Sequence, residues 1–215
     1  MPTRHSTTSV ACVVVATEKR KALVNGHIVP SIRDQDFDEV IVTADYRDRN
    51  VNLYIPSVYH NTLDALLRKQ AALEATTAPI VVYVVDDHYL DDRFLQGLLG
   101  RLEGDWDILA PWRYTIRDGH LISLNMGKDG LPDGGRDYVA GHAGIYRRSI
   151  LEEYSWKDIL TQALASDDGS ALFYDTWGTH KMLDAGAVLQ YCGYGDDIAV
   201  IDIDWYLDPG SKPWE

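Results

Sequence analysis

The sequence predicts one α/β domain with a mainly parallel central sheet and helices on both faces. Apolar segments of strand length alternate with helical segments through the first half of the chain. The 215 residues, 46% of them hydrophobic, suffice for one well-buried domain and are few for two. No internal repeat, low-complexity tract or linker divides them.

The elements follow in order. VACVVVAT (10–17) is a β-branched run that reads as a buried strand, and GHIVPSIRDQ (26–35) reads as a helical segment that its proline can open. DEVIVTAD (38–45) reads as a second strand, and TLDALLRKQAALEATT (62–77) as an amphipathic helix. PIVVYVVDDHYLDDRFL (79–95) then opens on a proline, runs as a strand from Ile80 to Val85, and ends abruptly on Asp86-Asp87-His88. Strand, helix, strand, helix, strand at these spacings is the pattern of right-handed crossovers between parallel strands. In such sheets ligands bind outside the carboxyl ends of the strands, where Thr17, Asp45 and the Asp86-Asp87 pair fall.

Charge narrows the partners. Lys and Arg total 20 and Asp and Glu 33, a formal net charge of −13 that repels nucleic-acid backbones. No run is long enough to span a bilayer, and MPTRHSTTSVACVVVATEKR lacks a signal-peptide cleavage context, so a soluble, cytoplasmic protein is expected. Cys12 and Cys192 have neither metal-binding spacing nor a disulfide framework and are expected to be buried thiols.

Two adjacent carboxylates at a strand end repel each other. A divalent cation such as Mn²⁺ or Mg²⁺ relieves the repulsion, and a site with so few protein ligands completes its shell with substrate phosphates. The structural alternative is that Asp86 and Asp87 cap a helix starting near Tyr89.

The order of elements resembles the GT-A glycosyltransferases, most closely the family 2 type. VVVATEKR, SIRDQDFDEVIVTADY and RKQAALEATTAPIVVYVVDDHYLDDRFL carry the likeness, which extends over roughly residues 10 to 190. The resemblance implies a single GT-A domain over residues 1–215, its nucleotide-binding half about 1–100 and its acceptor-binding half about 101–215. It also implies Asp45 against the nucleotide base, Thr17 against the nucleoside, Asp87 on a divalent metal, and Asp86 beside it near the ribose. Val85 stands where the family's spaced acidic motif has its first carboxylate, so Asp86-Asp87 is a compressed version of that motif.

YDTWGTHKMLDAG (174–186) resembles the family's acidic helix-opening motif, which puts Asp175 on the catalytic base and Lys181 on the usual arginine. Tyr174 replaces the preceding glutamate. The alternative for Asp175 is a helix N-cap, with Gly178 a poor helix former soon after. In RDYVAGHAGIYRRSILEE (136–153) the resemblance puts Gly141, His142 and Gly144 below the donor sugar, while Arg147 and Arg148 read as helix-start surface charges rather than diphosphate clamps. His88 or His180 is available to complete the metal shell, and Trp112, Trp177 or Trp205 to stack on a sugar.

The activity implied is transfer of a sugar from a nucleoside diphosphate to a hydroxyl, with inversion. A UDP, GDP or dTDP sugar suits Asp45, and a glycan or lipid-linked sugar is favoured as acceptor over a modified base in DNA. Three rivals stand beside it. A sugar-phosphate nucleotidyltransferase needs a Gly-rich phosphate loop after the first strand, and ATEKRKALVNG reaches its only glycine at Gly26. A glycoside hydrolase needs carboxylates facing each other across the bond rather than adjacent in sequence. An inactive nucleotide-sugar-binding module would keep the pocket without a working base.

Overall fold

The structure is a computed structural model that describes residues 8–59, 61–117, 120–124, 143–165, 174–192 and 197–202. For residues 61–62, 115–117, 120–124, 174–177 and 202 it describes the backbone only.

Its centre is a seven-stranded sheet. The middle strands are β1 (Val10–Ala16), flanked in parallel by β2 (Glu39–Ala44) and β4 (Ile80–Val85). All of β1 is buried, which is why it reads as a continuous apolar run and not an alternation. The strand period divides its side chains between two cores. Val10, Cys12 and Val14 face the core shared with Val24, Ile28, Ile32 and Phe94. Val13 and Val15 face the core built with Leu63, Leu66, Trp156 and Ile159. Helices therefore cover both faces. Each such aliphatic side chain contributes about 1.5–3 kcal/mol when fully buried.

The two-residue strand β3 (Leu53–Tyr54) extends the sheet beyond β2 in parallel. On the other side β9 (Ala143–Arg147) runs antiparallel between β4 and β6 (Ile108–Ala110), and β10 (Leu189–Tyr191) pairs in parallel with β6. The strand order is thus β10-β6-β9-β4-β1-β2-β3: the chain steps from β1 to β2 and β3 on one side and then crosses back to β4 on the other, so the crevice beyond the carboxyl ends of β1 and β4 is a topological switch point.

Two expectations for the first half change. The helical segment expected at 26–35 begins directly after β1, as a 3-10 turn (Glu18–Arg20), α1 (Lys21–Leu23), a π turn (Val24–Ile28) and α2 (Val29–Arg33). Pro30 has no amide and its ring crowds the carbonyl four residues back. The turn before it is wide, with the Val29 amide donating to the Val24 carbonyl. No helix starts near Tyr89. A tight turn at Asp86-Asp87 leads instead into β5 (His88–Leu90), antiparallel to β11 (Ala199–Asp202). With β7 (Trp112–Arg117) and β8 (His120–Leu124) these form a second sheet, β5-β11-β7-β8, and the next helix is α4 (Phe94–Leu99). The helix-capping alternative for the acidic pair is thereby removed.

The remaining helices are α3 (Asn61–Ala75), α5 (Arg148–Glu153), α6 (Trp156–Ala165) and α7 (Tyr174–Asp184). Gly178 sits within α7 because a Cβ there would lie 3.0 Å from Ile159 Cδ1 of α6. The two arginines at the β9–α5 join are more than surface charges: Arg148 pairs with the exposed Glu152, and both arginines reach backbone carbonyls. Arg147 donates to the carbonyls of Trp106, Leu102 and Gly104, and Arg148 to those of Leu73 and Thr76 at the end of α3. Gly144, expected in the sugar pocket, lies inside β9 opposite Tyr83, and the Tyr146 ring fills its side-chain position. Cys12 and Cys192 are buried, as expected. Among the described residues no helix is long and apolar enough to cross a membrane.

Candidate functional site

The crevice begins with Thr17. Its backbone is extended (φ −118°, ψ 154°) as β1 gives way to the 3-10 turn, and its hydroxyl does not cap that turn. Both donors of Thr17 go to Asp86 at the end of β4: the amide lies 2.7 Å and the hydroxyl 2.6 Å from Oδ2. Asp86 is buried, and burial holds its carboxyl above the ordinary carboxylate range. Repulsion from Asp87 acts the same way, while the Thr17 bonds and Arg20 oppose it.

Asp87 follows in the turn. Its Oδ1 lies 2.5 Å from Nδ1 of His88, a fully buried imidazole on β5. Its Oδ2 lies 3.6 Å from Nη2 of Arg20, whose Nε is 3.8 Å from Asp86 Oδ1. One oxygen of each carboxylate is thus engaged by Thr17 or His88, and the other faces the same guanidinium. The turn from β4 into β5 creates this arrangement, since it brings both carboxylates and the imidazole to a single strand end.

A second arm starts at Asp45, after β2. Its Oδ1 accepts the Glu18 amide at 2.7 Å, capping the 3-10 turn from a neighbouring strand. Its Oδ2 accepts the Ser57 hydroxyl at 3.1 Å and pairs with Arg68 Nη2 at 3.3 Å. Arg68 also donates to Ser57 Oγ at 2.9 Å, and its side chain is only 1% exposed. One turn earlier on α3, the buried Asp64 accepts the amides of Val58 and Tyr59, which fixes the loop carrying Ser57. Tyr46 lies beside this arm, its phenol pushed up to about 12 by burial and by the carboxylates of Asp48, Asp86 and Asp45.

The structure therefore brings together Thr17, Asp45, Asp86 and Asp87 in one run of polar contacts, as the strand ends predict. Sequence reasoning missed Arg20, Ser57, Asp64 and Arg68. The available signal was Asp64 and Arg68, charged residues one helical turn apart within the apolar pattern of α3. Asp175 lies in the first turn of α7, with its side chain outside the described atoms. Gly141 and His142 lie outside the described residues. Ala143, which follows them, pairs with Val84 at the crevice end of β4.

The donor set suits a divalent cation of the hard type in one respect: two carboxylates present one oxygen each to a common cationic partner. Among the described residues no group of three His, Cys, Asp or Glu is arranged to hold a metal ion. Asp87 and Asp86 are the residues that could hold one, provided phosphate oxygens or water supply the rest. His180 is half-buried on α7 and joins no such group.

No protein-family model and no curated protein sequence matches the chain. Solved structures do. TarS of S. aureus is similar over 91% of this chain and 37% of its own, at 16% identity and a TM-score of 0.63. The TarS 1–349 structure is similar over 91% of this chain and 60% of its own, at 18% identity and a TM-score of 0.61. The mannosyltransferase PcManGT from Pyrobaculum calidifontis, solved with GDP-Man and Mn²⁺, is similar over 90% of this chain and 56% of its own, at 14% identity and a TM-score of 0.55. The chain thus spans less than two thirds of each of these solved chains. What it shares with them is the GT-A fold of glycosyltransferases, with its mainly parallel seven-stranded sheet.

Proposed function

We propose that the chain is a glycosyltransferase of the inverting, family 2 type, moving a sugar from a nucleoside diphosphate to a hydroxyl. The observation that carries this reading is the gathering of Thr17, Asp45, Asp86 and Asp87 at the switch point between β1 and β4. Support comes from solved structures of the same fold, which include TarS 1–349 with UDP and with UDP-GlcNAc and PcManGT with GDP-Man and Mn²⁺.

In this reading Asp45 accepts a hydrogen bond from the base, held in place by the Glu18 amide and Arg68. Thr17 lies against the nucleoside, and Asp86 is oriented by Thr17 toward the ribose. Asp87, with Asp86, would hold Mn²⁺ or Mg²⁺, which when bound supplies positive charge to the leaving diphosphate. Gly141 and His142 border the donor sugar. Asp175 takes the proton of the acceptor hydroxyl as its oxygen bonds to the anomeric carbon, and the bond to the diphosphate oxygen breaks with its electron pair. The acceptor is a glycan or lipid-linked sugar rather than DNA, given the charge of −13.

A nucleotidyltransferase fits less well, because β1 runs straight into the 3-10 turn Glu18–Arg20 without a glycine-rich phosphate loop. An inactive binding module differs only in lacking transfer.

The test is a thermal-shift series with UDP, GDP and dTDP, each with and without Mn²⁺. A nucleotide at a hundred times its dissociation constant stabilises by about 2.7 kcal/mol. Asp87→Ala is expected to remove the Mn²⁺-dependent part of that gain. Indifference to all three nucleotides rejects the reading.

A further inference from the structure

The acidic pair already has a cation built against it. Arg20 ends the 3-10 turn that leaves β1, and its amide donates to the Thr17 carbonyl at 3.1 Å, so its backbone is tied to the strand end that carries the site. Its side chain is 17% exposed. The guanidinium faces Asp86 Oδ1 at 3.8 Å and Asp87 Oδ2 at 3.6 Å, the oxygens opposite those engaged by Thr17 and His88. These separations exceed hydrogen-bonding length, so the attraction is chiefly electrostatic and carries little directional preference.

We infer that Arg20 competes with the divalent cation for Asp86 and Asp87, so that metal and nucleoside diphosphate bind cooperatively rather than independently. The inference rests on the donor-site reading above. A divalent ion taking the two Arg20-facing oxygens must share them with a guanidinium, and two cations on one carboxylate pair repel. The ion alone therefore binds at a penalty set by Arg20. A diphosphate relieves it in two ways: its oxygens add ligands to the ion, and they accept the displaced guanidinium, which matches phosphate geometry. Each ligand then raises the affinity of the other by the same factor. The functional consequence is a site that discriminates against unliganded metal and assembles when the donor arrives.

The experiment is Mn²⁺ titration of the parent, Arg20→Gln and Arg20→Lys, followed by the electron paramagnetic resonance of unbound Mn²⁺, with and without UDP, GDP or dTDP. Melting curves on each protein report folding. The parent is expected to bind Mn²⁺ about fivefold or more tightly with its nucleotide than without. Arg20→Gln is expected to bind Mn²⁺ alone about fivefold or more tightly than the parent and to lose most of the nucleotide-dependent gain. Arg20→Lys, which keeps the charge, is expected to follow the parent. A folded Gln variant that binds Mn²⁺ alone no better than the parent overturns the inference and leaves the donor site intact. So does a Lys variant that gains Mn²⁺ affinity as the Gln variant does. A parent that binds a nucleotide but never Mn²⁺ overturns the inference together with the metal assignment, and one that binds no nucleotide overturns the donor-site reading itself.

Discussion

Thr17 donates its amide and its hydroxyl to the same oxygen of Asp86, at 2.7 and 2.6 Å, and so joins the ends of β1 and β4 across the crevice. This engages Oδ2 of a buried carboxylate and leaves Oδ1 as the oxygen that faces Arg20. It also ties the two strands on either side of the switch point at the place where the fold positions a ligand.

Asp86 carries the cost of that placement. Its carboxyl is held above the ordinary range, chiefly by burial and further by Asp87. The folded protein therefore keeps this proton to a higher pH than the unfolded chain does. By linkage, the group's contribution to stability is fully present at low pH and falls as pH rises from the ordinary carboxylate value through the raised folded one. Asp86→Asn removes the buried charge and keeps an acceptor for Thr17. The variant is expected to melt higher than the parent at pH 7, by about 2–4 °C for each kcal/mol gained, and the gap is expected to close toward pH ~4. Melting curves across that range check it. A gap that does not change with pH removes the titration argument.

Asp45 is expected to act on the base end of the donor. Asp45→Asn keeps an acceptor for the Glu18 amide but loses the charge opposite Arg68, a side chain only 1% exposed. Calorimetry with a nucleoside and its diphosphate is expected to show similar fold losses for both, since Asp45 contributes little to the phosphates. A loss confined to the diphosphate would assign Asp45 to the phosphate end. Asp45→Ala is the harsher change, leaving Arg68 without this partner, and is expected to cost about 3–5 kcal/mol of stability.

The central sheet was legible because its strands are buried on both faces and leave uninterrupted runs, VACVVVA and IVVYVV, that end on polar residues. The first helix starts earlier than its pattern suggests, because a proline at a helix start is the ordinary expectation whereas here a π turn accommodates Pro30 in mid-segment. β5 leaves no local signal, because His88–Leu90 offers three residues, too few for a period, and its partner β11 is more than a hundred positions away. The carboxylates of the site could be named from strand ends. Their cations could not: Arg20 and Arg68 are brought to them by a helical turn and by α3, and nothing in local spacing records that. Arg147 and Arg148 show the converse, charges that look like surface yet close backbone carbonyls.

Gly144 separates packing from binding. A Cβ there would stand 2.6 Å from Cε2 of Tyr146, a ring packed at 6.0 Å from Tyr83 and 5.5 Å from Trp156. Gly144→Ala is expected to destabilise the protein by about 1–3 kcal/mol through overpacking. Nucleotide affinity of the folded fraction is expected to stay near that of the parent. Chemical denaturation and calorimetry measure the two quantities, and a large affinity loss at unchanged stability would restore Gly144 to the sugar pocket.

Asp175 decides whether the chain is an enzyme or a binder. It stands in the first turn of α7, where either a general base or a helix-terminal carboxylate is at home. Asn substitutes well as a cap but cannot take a proton from the acceptor. General-base assistance is worth ~10²–10⁴-fold, so Asp175→Asn is expected to slow transfer by about that range while donor affinity and melting temperature hold. The measurement pairs a single-turnover transfer rate with a donor titration on the same preparation. An Asn variant that transfers at the parental rate returns Asp175 to a structural role, and the proton must then leave the acceptor through another group.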